Sequence, residues 1–138
     1  MIVHGKVSKK HLNALEFFAS RLITPQKKKH IEITVKYRKV IDEFGTVYVD
    51  DYNVLGRPIS FIIEVRQSDT EEEKLKTLAH EMVHVKQYIR GELNEEMSVW
   101  RGHRIDSDEI PYAEQPWEVE AESVANKLYD EYVASQSR

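Results

Sequence analysis

The chain contains no cysteine. Disulfides, thiolate metal ligands and cysteine nucleophiles are therefore excluded, and any metal must be held by His, Asp or Glu. Glycine and proline are scarce, at 5 and 4 of 138 residues, which rules out collagen-like and low-complexity chains. No run approaches the roughly 20 apolar residues that span a bilayer. The start, Met1-Ile2-Val3-His4-Gly5-Lys6-Val7, lacks the apolar stretch behind a basic start that marks a secretory signal. A cytoplasmic protein with no membrane partner is expected. Positive charge is not in excess either: 20 Lys and Arg face 24 Asp and Glu, for a net charge of −4. Such a chain lacks the global positive field of a protein whose main ligand is nucleic acid.

Against these absences stand 41% hydrophobic and 32% charged residues, a balance that suits one folded domain over residues 1–138, expected to be a monomer. Leu12, Leu15, Phe18, Ala19 and Leu22 recur at helical spacing over residues 8–23, and Thr24-Pro25 ends that helix. The basic cluster Lys27-Lys28-Lys29-His30 reads as a solvated turn. The period then changes to two: Ile31, Ile33, Val35 and Tyr37 alternate with polar residues, Val47 and Val49 mark a shorter strand, and Ile59, Phe61, Ile63 and Val65 a third. Short connections between them predict an antiparallel sheet.

Thr70 and Glu73 have capping-box spacing, and Gly91 suits the position just beyond a helix end. About 20 residues of helix are predicted between these stops, with Leu75, Leu78, Met82, Val85 and Ile89 as the apolar stripe. Residues 97–105 suit a hairpin around Arg101-Gly102, and Pro116 opens a last helix running to about residue 133. The fold class predicted is α+β: an N-terminal helix, a small antiparallel sheet, a long helix packed on the sheet, and a C-terminal helix over the long one.

The chemistry is on the long helix. His80-Glu81-Met82-Val83-His84 is an H-E-x-x-H sequence. Residues four apart on a helix share a face, so both imidazoles can reach one ion. Glu81 can lean towards a metal-bound water and take its proton. Zinc suits the site, because it accepts His nitrogens and imposes no strict geometry of its own. A third ligand must come from elsewhere. The metzincin extension needs Gly at position 87 and His at position 90, where this chain has Gln87 and Arg90. The remaining candidates are His103 and the carboxylates Glu118, Glu120 and Glu122. Glu118 and Glu120 flank the apolar stripe of the last helix on opposite sides, so amphipathicity does not choose between them.

H-E-x-x-H followed by Glu120-Ala121, then Val124, Ala125, Leu128 and Tyr129, resembles the gluzincin peptidases, in particular short ImmA/IrrE-type and SprT-like phage and bacterial proteins. In ImmA/IrrE-type chains the ligand Glu is followed by Ala and by apolar residues at a helical period. The resemblance implies a zinc metalloendopeptidase in which His80, His84 and Glu120 hold Zn2+ and Glu81 is the catalytic base, acting on a protein or peptide substrate. SprT-like proteins use a third His, a place that only His103 fills. The resemblance also implies that substrate pairs with a sheet edge, for which the strand over residues 59–66 is the nearest candidate. Tyr112 and His103, between the two metal-binding helices, are the candidate donors to the oxyanion, whereas Trp100 and Trp117 are read as core. Three other readings stand beside this one: a non-catalytic zinc-binding interaction module, a latent regulatory protein, and a protein acting beside DNA through residues 27–30. The intact Glu81 speaks against the first, since a structural zinc site needs no general base.

Overall fold

Three short polar side chains start three of the helices. Ser8, Thr24 and Thr70 accept from the backbone N–H groups of His11, Lys27 and Glu73 and so cap α1 (Lys9–Leu22), α2 (Pro25–Lys28) and α3 (Glu71–Ile89). At α3 both halves of the capping box are made, and Gly91, at φ 68°, takes the left-handed position just past its end. Pro116 occupies the first turn of α4 (Pro116–Gln136), where its missing N–H costs nothing. The computed structural model describes residues 1–39 and 43–137.

The fold is α+β, with four α-helices and a small sheet among the described residues. The strands β1 (Ile2–His4), β2 (Glu32–Arg38), β3 (Gly45–Tyr52) and β4 (Pro58–Arg66) lie in the order β1-β2-β4-β3. This sheet is mixed and not antiparallel. β1, β2 and β4 run parallel, and β3 alone runs against β4. Two features account for the correction. The N-terminal segment forms a strand, and α1 is the crossover that makes β2 parallel to it. β4 is apolar on both faces, with Ile59, Phe61, Ile62, Ile63 and Val65, and such a strand belongs in the middle of a sheet. It therefore inserts between β2 and β3, its neighbour in sequence, and leaves the half-exposed β3 at the edge. A second sheet is the hairpin of β5 (Val99–Trp100) and β6 (His103–Arg104). Its turn residues Arg101 and Gly102 both have positive φ, at 48° and 85°, as a tight hairpin turn requires.

α3 is the centre of the molecule. It packs on β3 and β4 and carries α1 and α4 on its other sides. Thr77, Ala79, Val83, His84, Gln87 and Tyr88 are buried along with Leu75, Leu78, Met82 and Val85 of the predicted stripe, while Ile89 is partly buried, so the helix is covered around most of its circumference. The core gathers Leu15 and Phe18 from α1, Ile33, Phe61 and Ile63 from the sheet, Leu78 and Met82 from α3, and Trp117 from α4, all fully buried. Among the described residues no helix is long and apolar enough to cross a membrane.

One polar staple ties three elements together. His11 of α1 is buried, with Nδ1 at 2.7 Å from the Tyr37 hydroxyl of β2 and Nε2 at 2.7 Å from a Glu71 carboxylate oxygen at the head of α3. Burial, and then the Glu71 charge, push the Tyr37 phenol up to about 12, so it remains a neutral donor. The hydrogen bond from His11 holds the Glu71 carboxyl below its usual range. His11→Ala removes both bonds and leaves a void, and should destabilise the fold by about 2–4 kcal/mol. Denaturant unfolding of the variant against wild type measures this directly.

Candidate metal centre

His80 and His84 lie one turn apart on α3, and their ring centroids are 5.0 Å apart. His84 is buried, while the His80 side chain keeps 18% of its surface exposed. Opposite them stands the first turn of α4. A single oxygen, Glu118 Oε1, lies 3.0 Å from His80 Nε2 and 3.1 Å from His84 Nε2, and accepts from the Tyr112 hydroxyl at 2.9 Å. Glu122, one turn further along α4, places a carboxylate oxygen 3.6 Å from His80 Nδ1.

The carboxylate against both imidazoles is thus Glu118, and Glu120 is not brought to them. Glu120 points to the other side of α4, where Lys86 Nζ lies at 2.8 Å and Gln87 Nε2 at 3.0 Å, with Arg101 also paired to it. The reason lies in helix packing. Glu118, Ala121 and Ala125 follow one another at three and four residues and form one ridge of α4. The two alanines are buried and let α4 approach α3 closely. Side chains lean towards the helix N-terminus, so Glu118 at the head of that ridge reaches the imidazoles. The ridge was present in the sequence as the spacing Glu118-x-x-Ala121-x-x-x-Ala125, but a carboxylate in a first turn is already accounted for by the helix dipole.

Glu81 and Glu118 are both buried, at 5% and 7% exposure. Among the described residues neither has a Lys or Arg within ion-pairing distance; Glu118 has the two imidazoles there, and Glu81 has them within 4.8 Å. Burial pushes the Glu81 carboxyl up to about 6, against the pull of His84 and His80. For Glu118 burial acts in the same direction, but the hydrogen bonds of His80, His84 and Tyr112 outweigh it and hold the carboxyl down at about 2. A cation held here would compensate both buried carboxylates, since buried charge is paired or coordinates metal.

The geometry fits as well. His80, Glu81 and His84 offer ligand atoms that all lie within 4.8 Å of one another. Glu118 Oε1 lies within hydrogen-bonding distance of both imidazoles, and Glu81 stands beside the same two rings. Ligand atoms about 2 Å from a tetrahedral zinc stand roughly 3.3 Å apart, close to the two contacts of Glu118. His103 is exposed on β6, opposite Trp100 in the hairpin, and lines neither cavity beside His80.

A cavity of about 410 Å³ opens in front of the site, with Phe44, Thr77, His80, Glu81 and Tyr112 in its wall. A second, of about 390 Å³, lies on the other side of Tyr112, against Glu118, Val119 and Ser123. The start of β3 closes the first cavity. Gly45 is in such close contact with α3 that a Cβ there would meet Thr77 Cγ2 at 2.4 Å and the Glu64 carbonyl oxygen at 2.8 Å, with Glu81 Cγ at 3.7 Å. Gly45→Ala should therefore push β3 off α3 and cost about 1–3 kcal/mol of stability, the usual range for overpacking. Chemical denaturation of that single variant tests it. No protein-family model, curated protein or solved structure matches the chain.

Proposed function

We infer that the chain is a zinc-dependent metalloendopeptidase of the gluzincin type, with His80, His84 and Glu118 as metal ligands and Glu81 as general base. The convergence of two imidazole nitrogens on one carboxylate oxygen, beside a second buried carboxylate and an open cavity, is the observation that carries this reading. Two His and one carboxylate with a fourth position free is the donor set of catalytic zinc. Zinc held there would polarise the scissile carbonyl and acidify the attacking water.

The residues of this chain supply the rest. Glu81 takes the proton of the attacking water and passes it to the leaving nitrogen as the peptide bond breaks. The Tyr112 hydroxyl already donates into the site and lies on both cavities, where it can turn its proton to a developing oxyanion. A substrate strand would pair with the free edge of β3. The strand over residues 59–66 is unsuited to this, because β4 has its two edges occupied by β2 and β3. The substrate is a protein or peptide in an extended conformation.

Elemental analysis and titration of chelator-free protein should give one zinc per chain. Glu118→Ala should weaken zinc binding by more than the roughly 10–100-fold typical of groups that only orient a ligand, whereas Glu120→Ala should stay within that range. A protein that stays metal-free at saturating zinc overturns the reading.

Glu81→Gln should keep the zinc and lose turnover of unstructured protein substrates by about 10²–10⁴-fold. If wild type and Glu81→Gln both bind zinc and are equally inert across such a panel, the site is a non-catalytic zinc-binding module.

A further inference from the structure

A cavity of about 610 Å³ lies at the head of α3 and shares no wall residue with the two cavities at the metal centre. Two passages from a parallel strand into a helix form it. Gly5, Lys6 and Ser8 belong to the turn from β1 into α1, Gln67 and Glu71 to the passage from β4 into α3, and Lys36 of β2 lies between them. The first turn is pressed against β2: a Cβ at Gly5, φ 105°, would meet the Val35 carbonyl oxygen at 2.4 Å. The carboxyl ends of parallel strands are where open sheets bind ligands. Helix starts at such a place present free N–H groups to anions.

The charges there are of one sign. Lys6, Lys36 and Lys74 line the cavity. The first turn of α1 has no acidic residue and carries Lys9 and Lys10, the reverse of what the helix dipole favours and of what α3 shows with Glu71, Glu72 and Glu73. Among the described residues Glu71 is the one carboxylate in the wall, and it is already engaged. One of its oxygens lies 2.7 Å from His11 Nε2 and the other 3.8 Å from Lys74 Nζ. Lys6, Lys9, Lys10 and Lys36 have no carboxylate within ion-pairing distance among the described residues. A cleft lined by one sign of charge draws in the opposite one.

We propose that this cavity binds a phosphate group, free or carried by a small organic molecule, with Lys6 and Lys36 as its main counter-charges. The backbone N–H groups of Lys9 and Lys10, which have no partner inside the helix, are the further donors. The volume suits more than phosphate alone, since pockets of roughly 300–1,000 Å³ take whole small ligands. The site is independent of the metal reading. Glu71 lies about 14 Å along α3 from His80, at roughly 1.5 Å per residue.

Inorganic phosphate and ribose 5-phosphate, titrated separately into the nitrogen-15-labelled full chain, test this by NMR. Shifts are expected at residues 5–12, 34–37 and 67–74, with affinity falling as salt rises. Tighter binding of ribose 5-phosphate identifies an organic phosphate as the ligand, and equal binding identifies phosphate alone. Lys6→Gln and Lys36→Gln should each weaken binding by roughly tenfold, whereas Lys127→Gln, on the exposed side of α4, should leave it unchanged. Thermal unfolding gives a second readout: phosphate should raise the midpoint of wild type more than that of either cavity variant. Each single variant is read by itself, so one that fails to fold leaves the other to decide. No shifts at these residues with either probe, shifts centred on His80 and His84, or undiminished binding by both cavity variants overturns the site.

Discussion

The structure is organised around the buried Glu81, His84 and Glu118 and the partly exposed His80, where α3 meets α4. Taking a carboxylate out of water costs several kcal/mol unless a cation or hydrogen-bond donors compensate. Glu118 is compensated by His80, His84 and Tyr112, whereas for Glu81 burial outweighs the pull of His84 and His80. The neighbouring elements are set accordingly. Ala121 and Ala125 bring α4 against α3, Trp117 and the core beneath fix the start of α4, and β3 lies on Thr77 and Glu81 without room for a side chain at position 45.

The distribution of basic side chains follows the same constraint. Lys86 is taken up by Glu92 and Glu120, Arg101 by the same two carboxylates, and Lys76 by Glu72. These pairs stand around the centre and leave it free of Lys and Arg among the described residues. A lysine near Glu118 would neutralise it and compete with a metal. The pairs of Lys86 and Arg101 tie α4, the end of α3 and the short hairpin into one block.

Much was legible locally. The capping box at Thr70, the stop at Gly91, the hairpin turn at Arg101-Gly102 and the start at Pro116 depend on a few adjacent residues, and each is found where the sequence pattern predicts it. Sheet order was not legible, because strand pairing depends on which strand can be buried on both faces, a comparison made across the whole chain. The β1 strand escaped because three residues are too few to show a period. Gln87 gave no signal at all: its partners Trp117 and Glu120 come from another helix.

The sequence by itself determined that two histidines and a glutamate share one helix, because a four-residue spacing on a helix leaves them no other arrangement. It also determined that any metal there must be held without thiolate, since no cysteine exists to supply one. Only the tertiary structure decided which carboxylate meets them. Glu118 and Glu120 differ by about 200° around α4, and each flanks the same apolar stripe. The choice was made by the close approach of two helices over a pair of alanines, an interhelical distance that no property of either helix alone contains.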